Sequence, residues 1–139
     1  MIVLDTNVIS EAMRSAPEAA VVSWLDSQPL ETLYLSAITV AELRFGVASL
    51  PAGKRSDTLR DRLEEQVIPL FAGRVLSFDL PASQAYGELM AKARKSGRAI
   101  STADGCIAAI AAANKMMIAS RDTQPFEAGG VAVINPWIP

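Results

Sequence analysis

The chain has 139 residues, with 13 Lys and Arg against 15 Asp and Glu and no histidine, for a formal net charge of −2. The absence of imidazole excludes a Ser-His-Asp triad, a Cys-His pair and histidine-rich zinc sites. The single cysteine, Cys106, excludes an internal disulfide and reads as a small core hydrophobe. A protein that grips nucleic acid by bulk charge is usually strongly basic, so the composition disfavours a DNA-coating role. It is compatible with a nuclease whose metal ions supply local positive charge, and with a protein that binds a basic partner.

The length suits one domain, 1–139, and the 50% apolar content lets such a domain bury a core. The N-terminus has no basic leader, and no stretch approaches the ~18 uninterrupted apolar residues of a membrane span. The expectation is a soluble cytoplasmic protein with no membrane partner. Ile2-Val3-Leu4 reads as a buried strand running into Asp5-Thr6-Asn7, residue types that favour helix starts, and a helix then carries Val8, Ile9 and Met13. A second helix starts near Pro17 and carries Val21, Val22, Trp24 and Leu25. The sequence does not yield a dimer surface, for which Val21, Trp24 and Leu25 are no more than guesses. Leu33-Tyr34-Leu35 is a second strand. The helix after Ser36 places Val40, Leu43, Val47 and Leu50 on one face and ends at Pro51-Ala52-Gly53. Leu59, Leu63, Val67 and Leu70 repeat that period in the next helix, which gives a helical hairpin.

Val75 to Phe78 is strand-like. Pro81 then opens a helix with Ala82, Ala85, Tyr86, Leu89, Met90 and Ala93 inward, ending before Gly97. Thr102 to about Lys115 is apolar nearly all round from Cys106 to Ala113 and belongs inside. Met116 to Ala119 is a strand, Arg121-Asp122-Thr123 a turn and Val131 to Ile134 a last strand. The tail Asn135 to Pro139 is extended and docks by Trp137. Alternating strands and helices predict an α/β/α sandwich around a mainly parallel sheet.

Four acids stand in unusual places. Asp5 and Asp122 each follow a strand at its carboxyl end, Glu42 lies early in the helix after Leu33-Tyr34-Leu35, and Asp104 lies in the first turn of the interior helix. The crevice at the carboxyl ends of the strands is the usual ligand site of an open α/β sheet. Each acid also has a structural reading. Asp5 can cap the following helix, Thr39 to Glu42 matches a capping box, Asp104 suits the helix dipole and Asp122 can shape a turn. Two points favour a shared site. Asp104 falls on the stripe of Ile107, Ala108 and Ala111, where an uncompensated acid is expensive. Four converging carboxylates, with no histidine or nearby lysine in these segments, call for a hard divalent cation such as Mg²⁺ or Mn²⁺. Waters on such an ion can be activated to attack a phosphodiester.

At these residues the sequence resembles the PIN-domain family, in its VapC branch of bacterial toxins and especially the FitB-like members. The opening Met1 to Glu11, with Asp5-Thr6-Asn7, is similar to the family's first strand and catalytic Asp. Leu35 to Gly46 is similar to its Ser-x-x-Thr-x-x-Glu-Leu segment, and Ala103 to Ala109 to its Asp-x-x-Ile-Ala-Ala helix. Ser120 to Thr123 followed by Phe126 is similar to its last acidic motif, and Asn135-Pro136-Trp137 to the FitB-like ending. The motifs span nearly the whole chain in family order. The resemblance implies a PIN-like fold and a metal-dependent endoribonuclease, the toxin of a type II toxin–antitoxin system. Asp5, Glu42, Asp104 and Asp122 would then hold Mg²⁺ or Mn²⁺, with Thr6, Ser36, Arg121 and Thr123 as supporting residues. It also implies an RNA substrate, a homodimer, a cognate antitoxin and promoter DNA reached through that antitoxin. The alternative is a catalytically weak member acting as the antitoxin's partner in a DNA-bound regulator.

Three rival readings fit less well. A P-loop is excluded because six residues separate Gly46 from Gly53 and both follow a helix. An aspartyl-phosphate phosphatase expects a second Asp where this chain has Asn7, and a phospho-receiver expects paired acids near the first strand. Two basic groups, Lys54, Arg55, Arg60 and Arg62 and then Lys92, Arg94, Lys95 and Arg98, read as solvated helix faces. The second, which precedes Asp104, has the better claim on RNA phosphates.

Overall fold

In the structure, a computed structural model describing residues 1–139, strands and helices alternate as the sequence predicts. The strands are β1 (Ile2–Leu4), β2 (Leu33–Ser36), β3 (Val75–Leu76), β4 (Met117–Ala119) and β5 (Val133–Ile134). The helices are α1 (Thr6–Ala12), α2 (Ala19–Asp26), α3 (Ala37–Ala48), α4 (Lys54–Arg62), α5 (Ile68–Leu70), α6 (Leu80–Lys95), α7 (Thr102–Ala113) and α8 (Gln124–Ala128). The sheet is parallel throughout, in the order β3-β2-β1-β4-β5. Alternation along each strand divides the core between its two faces. Leu4, Leu33, Leu35 and Ala119 pack with Val8, Ile9, Val21, Trp24, Val40, Leu43 and Leu63. Val3 and Ile118 pack on the other side with Leu89, Ile107, Ala108, Ala111 and Phe126. The result is the expected α/β/α sandwich.

Strand order reverses at β1. The chain adds β2 and β3 outward on one side, then returns to place β4 on the other, so the crevice between β1 and β4 is the topological switch point. The register Leu4↔Ala119 sets Asp5 beside Ser120.

Several local expectations change. Val21 and Trp24 lie in the core, so neither forms a dimer surface. The α4 helix widens to a π turn over Leu63–Val67 before α5. The wider turn adds a residue to the period, so Phe71 takes the inward position and Leu70 is 53% exposed. The predicted strand Val75 to Phe78 stops at Leu76, because Asp79 leaves the sheet to cap α6 through the Ala82 N–H at 3.0 Å. The short α8, with Pro125 in its first turn, lies between the predicted turn at 121–123 and the last strand, where the sequence assigns no element; five residues are too few to display a helical period. Cys106 is half-buried rather than enclosed. Trp137 docks against the first core cluster as expected, and no helix is long and apolar enough to cross a membrane.

Candidate functional site

Asp5 ends β1 and begins α1. Its N–H donates to the Ala119 carbonyl at 2.9 Å, which continues the sheet, while its carboxylate Oδ1 accepts the Thr6 N–H at 2.8 Å. It is therefore a helix cap, but capping uses only one oxygen. Oδ2 accepts the Ser120 hydroxyl at 2.7 Å and the Asn7 amide at 3.5 Å, and the residue is 5% exposed. Burial pushes the Asp5 carboxyl up to about 6; hydrogen bonds from Ser120 and Thr6 oppose the rise, and the charges of Asp104 and Glu42 add to it. No cation pairs with it.

Ser36, not Thr39, caps α3, since its Oγ accepts the Thr39 N–H at 3.1 Å. The capping-box reading of Thr39 and Glu42 therefore fails: Glu42 lies beyond the first turn, exposed, and its Oε1 accepts the Thr6 hydroxyl at 2.6 Å. A hydroxyl has one proton, so the 3.1 Å contact between Thr6 and Thr39 is carried by the Thr39 proton. Thr39 in turn accepts from Ser36 at 3.3 Å. This buried hydroxyl chain orients Thr6 toward Glu42. Ser36 lies at its far end, as a scaffold for α3 that does not line the cleft.

Asp104 is the third residue of α7, whose cap Ser101 accepts the Asp104 N–H at 3.2 Å. The sequence placed Asp104 on the buried stripe; it is half-buried at the mouth of the crevice. Its carboxyl is pushed up by that burial, and further by Asp122 and Glu42, against the opposing bond from Ser101. Asp122 is exposed in the loop after β4, where its N–H donates to the Ser120 Oγ at 3.1 Å.

Asp5, Glu42 and Asp104 line one open cleft of about 480 Å³ together with Thr6, Asn7, Ser10, Glu11, Arg14, Arg121 and Trp137. Asp122 lines the neighbouring depression with Arg98 and Gln124. All four acids thus gather at the switch point, three in one cleft and the fourth on its border, coupled to Asp104. As the side chains stand, no three acids form a closed ligating set. Of the supporting residues, Thr6 holds Glu42. Arg121 lies over the Trp137 ring at 5.3 Å to its centre. Thr123 precedes α8 without capping it.

Two residues were missed as members of the site. Ser120 is fully buried and joins Asp5 to the Asp122 loop, and Asn7 spans the same gap, donating to the Ser120 Oγ at 3.2 Å and accepting the Arg121 N–H at 3.3 Å. Both flank a predicted acid in sequence. Only the β1–β4 pairing, 113 residues apart for Asn7 and Ser120, reveals that they meet.

Comparison with known proteins identifies the family and the fold. Residues 2–130 match the PIN domain. The chain is 61% identical to a protein named VapC ribonuclease Y4jK of Sinorhizobium fredii, over all of this chain and 99% of that protein. It is 54% identical to Toxin FitB of Neisseria gonorrhoeae over 99% of both. Among solved structures, FitAB bound to an IR36 DNA fragment superposes with a TM-score of 0.95 at 53% identity, covering 99% of this chain and 96% of that one. The chain therefore belongs to the PIN-domain family, among relatives named VapC ribonuclease and Toxin FitB.

Proposed function

We propose that the chain is a metal-dependent endoribonuclease, the toxin of a type II toxin–antitoxin system, which hydrolyses RNA phosphodiesters at the β1–β4 crevice. The observation that carries this reading is that Asp5, Glu42 and Asp104 line one cleft, Asp5 buried, with no cation paired to any of them. An all-oxygen acidic donor set without histidine fits Mg²⁺ or Mn²⁺. Asp5, Glu42 and Asp104 would hold the ion, with Asp122 joining from the border of the cleft. When bound, the ion supplies Lewis-acid stabilisation of phosphoryl charge and a water of lowered pKa. The chain's own groups prepare that chemistry. Ser120 and Thr6 N–H fix both oxygens of Asp5, the Thr39–Thr6 hydroxyl chain aims at Glu42, and Ser101 anchors the first turn that carries Asp104.

The name Toxin FitB and the structure of FitAB bound to a DNA fragment support a cognate antitoxin as partner in a complex that binds DNA; contact with promoter DNA through that antitoxin is part of the proposal. They support a second reading as well, a catalytically weak partner in a DNA-bound regulator. A homodimer and a cytoplasmic location complete the proposal. Phe45, 74% exposed on α3, and Leu80, 84% exposed at the start of α6, are apolar side chains that association would cover. The deciding experiment incubates purified chain with single-stranded RNA in Mn²⁺, in Mg²⁺ and in EDTA, beside Asp5→Asn. Cleavage that needs metal and Asp5 supports the enzyme. Cleavage in excess EDTA refutes the metal mechanism, and no cleavage under any condition favours the weak-partner reading.

A further inference from the structure

Five of the chain's nine arginines already have partners. Arg14, Arg44 and Arg60 are in ion pairs. Arg62 donates to the Met13 carbonyl, and Arg74 to the Leu33 and Leu70 carbonyls. Arg121 and Arg98 have no acid partner, and each borders the acidic crevice from a different side. Arg121 lines the cleft that holds Asp5, Glu42 and Asp104. Arg98 lines the adjoining depression that holds Asp122. Residues 121 and 122 are consecutive, so the two depressions meet at the loop after β4.

Arg121 is placed through its guanidinium and its backbone, Arg98 through its backbone alone. The Arg121 guanidinium rests over the Trp137 ring, its N–H is tied to Asn7, and its carbonyl accepts from Asn135 at 3.5 Å. Trp137 is fixed in turn by its N–H to Asn135 Oδ1 at 2.9 Å. Arg98 follows Gly97, whose φ of 71° turns the chain at the end of α6, and its N–H closes that turn on the Ala93 carbonyl at 2.9 Å. A planar guanidinium without an acid partner suits a phosphate.

Resting on the endoribonuclease reading above, we propose that single-stranded RNA crosses the acid cluster between two phosphate anchors, Arg121 on the α1 side and Arg98 on the α6 side. The scissile phosphate then lies over the acids, and the flanking phosphates are gripped by the arginines. A duplex is too stiff to follow two depressions that meet at one loop, whereas a single strand bends into both. The acids repel a polyanion until the metal is bound, so the anchors supply the chain's own attraction for substrate. Trp137 is a positioning residue that acts through Arg121.

The test is steady-state cleavage of a single-stranded oligoribonucleotide in Mn²⁺ at several salt concentrations. The variants are Arg121→Ala, Arg121→Lys, Arg98→Ala and Arg98→Lys, with Arg55→Ala as the control, an unpaired cation at the start of α4 outside both depressions. Each alanine variant should raise KM about fivefold with kcat nearly unchanged, the size of one exposed charge-assisted contact. Each should also lower the salt slope of log kcat/KM by about 0.7, the value for one lost phosphate on a single strand. The lysine variants should recover most of the salt slope, since they keep the charge. An unchanged KM in both alanine variants beside normal wild-type cleavage overturns the track and leaves the endoribonuclease reading standing. So does an equal effect of Arg55→Ala, which would mean that only overall charge matters. Absence of wild-type cleavage overturns the endoribonuclease reading and the track with it.

Discussion

Replacing Asp5 by Asn removes the charge that the fold has most difficulty holding. Burial and the nearby Asp104 and Glu42 raise this carboxyl from 3.8 to about 6. That gap corresponds to about 3 kcal/mol by which the metal-free native state disfavours the ionised form. The sign follows from proton counting. Between pH 4 and 6 the folded chain keeps a proton that the unfolded chain has lost, so stability falls as pH rises through that window, and the loss is complete above pH 6. Asn keeps an acceptor for the Thr6 N–H, and Ser120 can turn its hydroxyl to the Asp122 carbonyl 3.3 Å away. Part of the gain is lost because the new amide faces that of Asn7. A net gain of about 1–2 kcal/mol remains at pH 8, or a rise in Tm of about 4–8 °C for a chain of this size. The assay is thermal melting in EDTA at pH 4.5 and pH 8. Asp5→Asn should melt above wild type at pH 8, and the difference should shrink toward or below zero at pH 4.5. A variant that melts below wild type at pH 8, or a difference that does not change with pH, refutes the argument that Asp5 is a strained charge.

Mn²⁺ should raise the wild-type Tm because it binds only the folded site. The rise should grow from pH 5 to pH 7, as Asp5 loses its proton, and be smaller in Asp5→Asn; calorimetry with a metal titration checks both. Ser120→Ala removes the proton donated to Asp5, so the carboxyl should rise further and the midpoint of the metal response should move to higher pH. That variant should also cost about 1–3 kcal/mol in denaturant unfolding, because Asn7 and Asp122 lose their buried acceptor. Ser36→Ala should cost about 1 kcal/mol as a lost helix cap yet leave the Mn²⁺ response intact. A lost metal response would mean that Ser36 reaches the site after all.

Much of this protein is readable from local pattern. Apolar runs of three or four residues, turn-forming residues after them and the 3.6-residue period of α3 and α6 determine the elements, because each signal lies within one short window. The acids Asp5, Glu42, Asp104 and Asp122 were legible for the same reason: each sits at a recognisable strand end or early in a helix. The π turn at Leu63–Val67 was not legible, since a widened turn leaves the composition unchanged and shifts only the facing, moving Phe71 in and Leu70 out. Nor did the sequence decide which oxygen caps what. Thr39 and Glu42 have capping-box spacing, but the helix starts earlier, at Ser36. Tertiary structure alone decided how the acids are held. The parallel pairing of β1 with β4 brings Ser120 onto Asp5 and Asn7 across more than a hundred residues, and the return of the chain to the far side of β1 opens the crevice there. Such contacts depend on strand order and register, which arise from closing the whole sheet rather than from any residue's near neighbours.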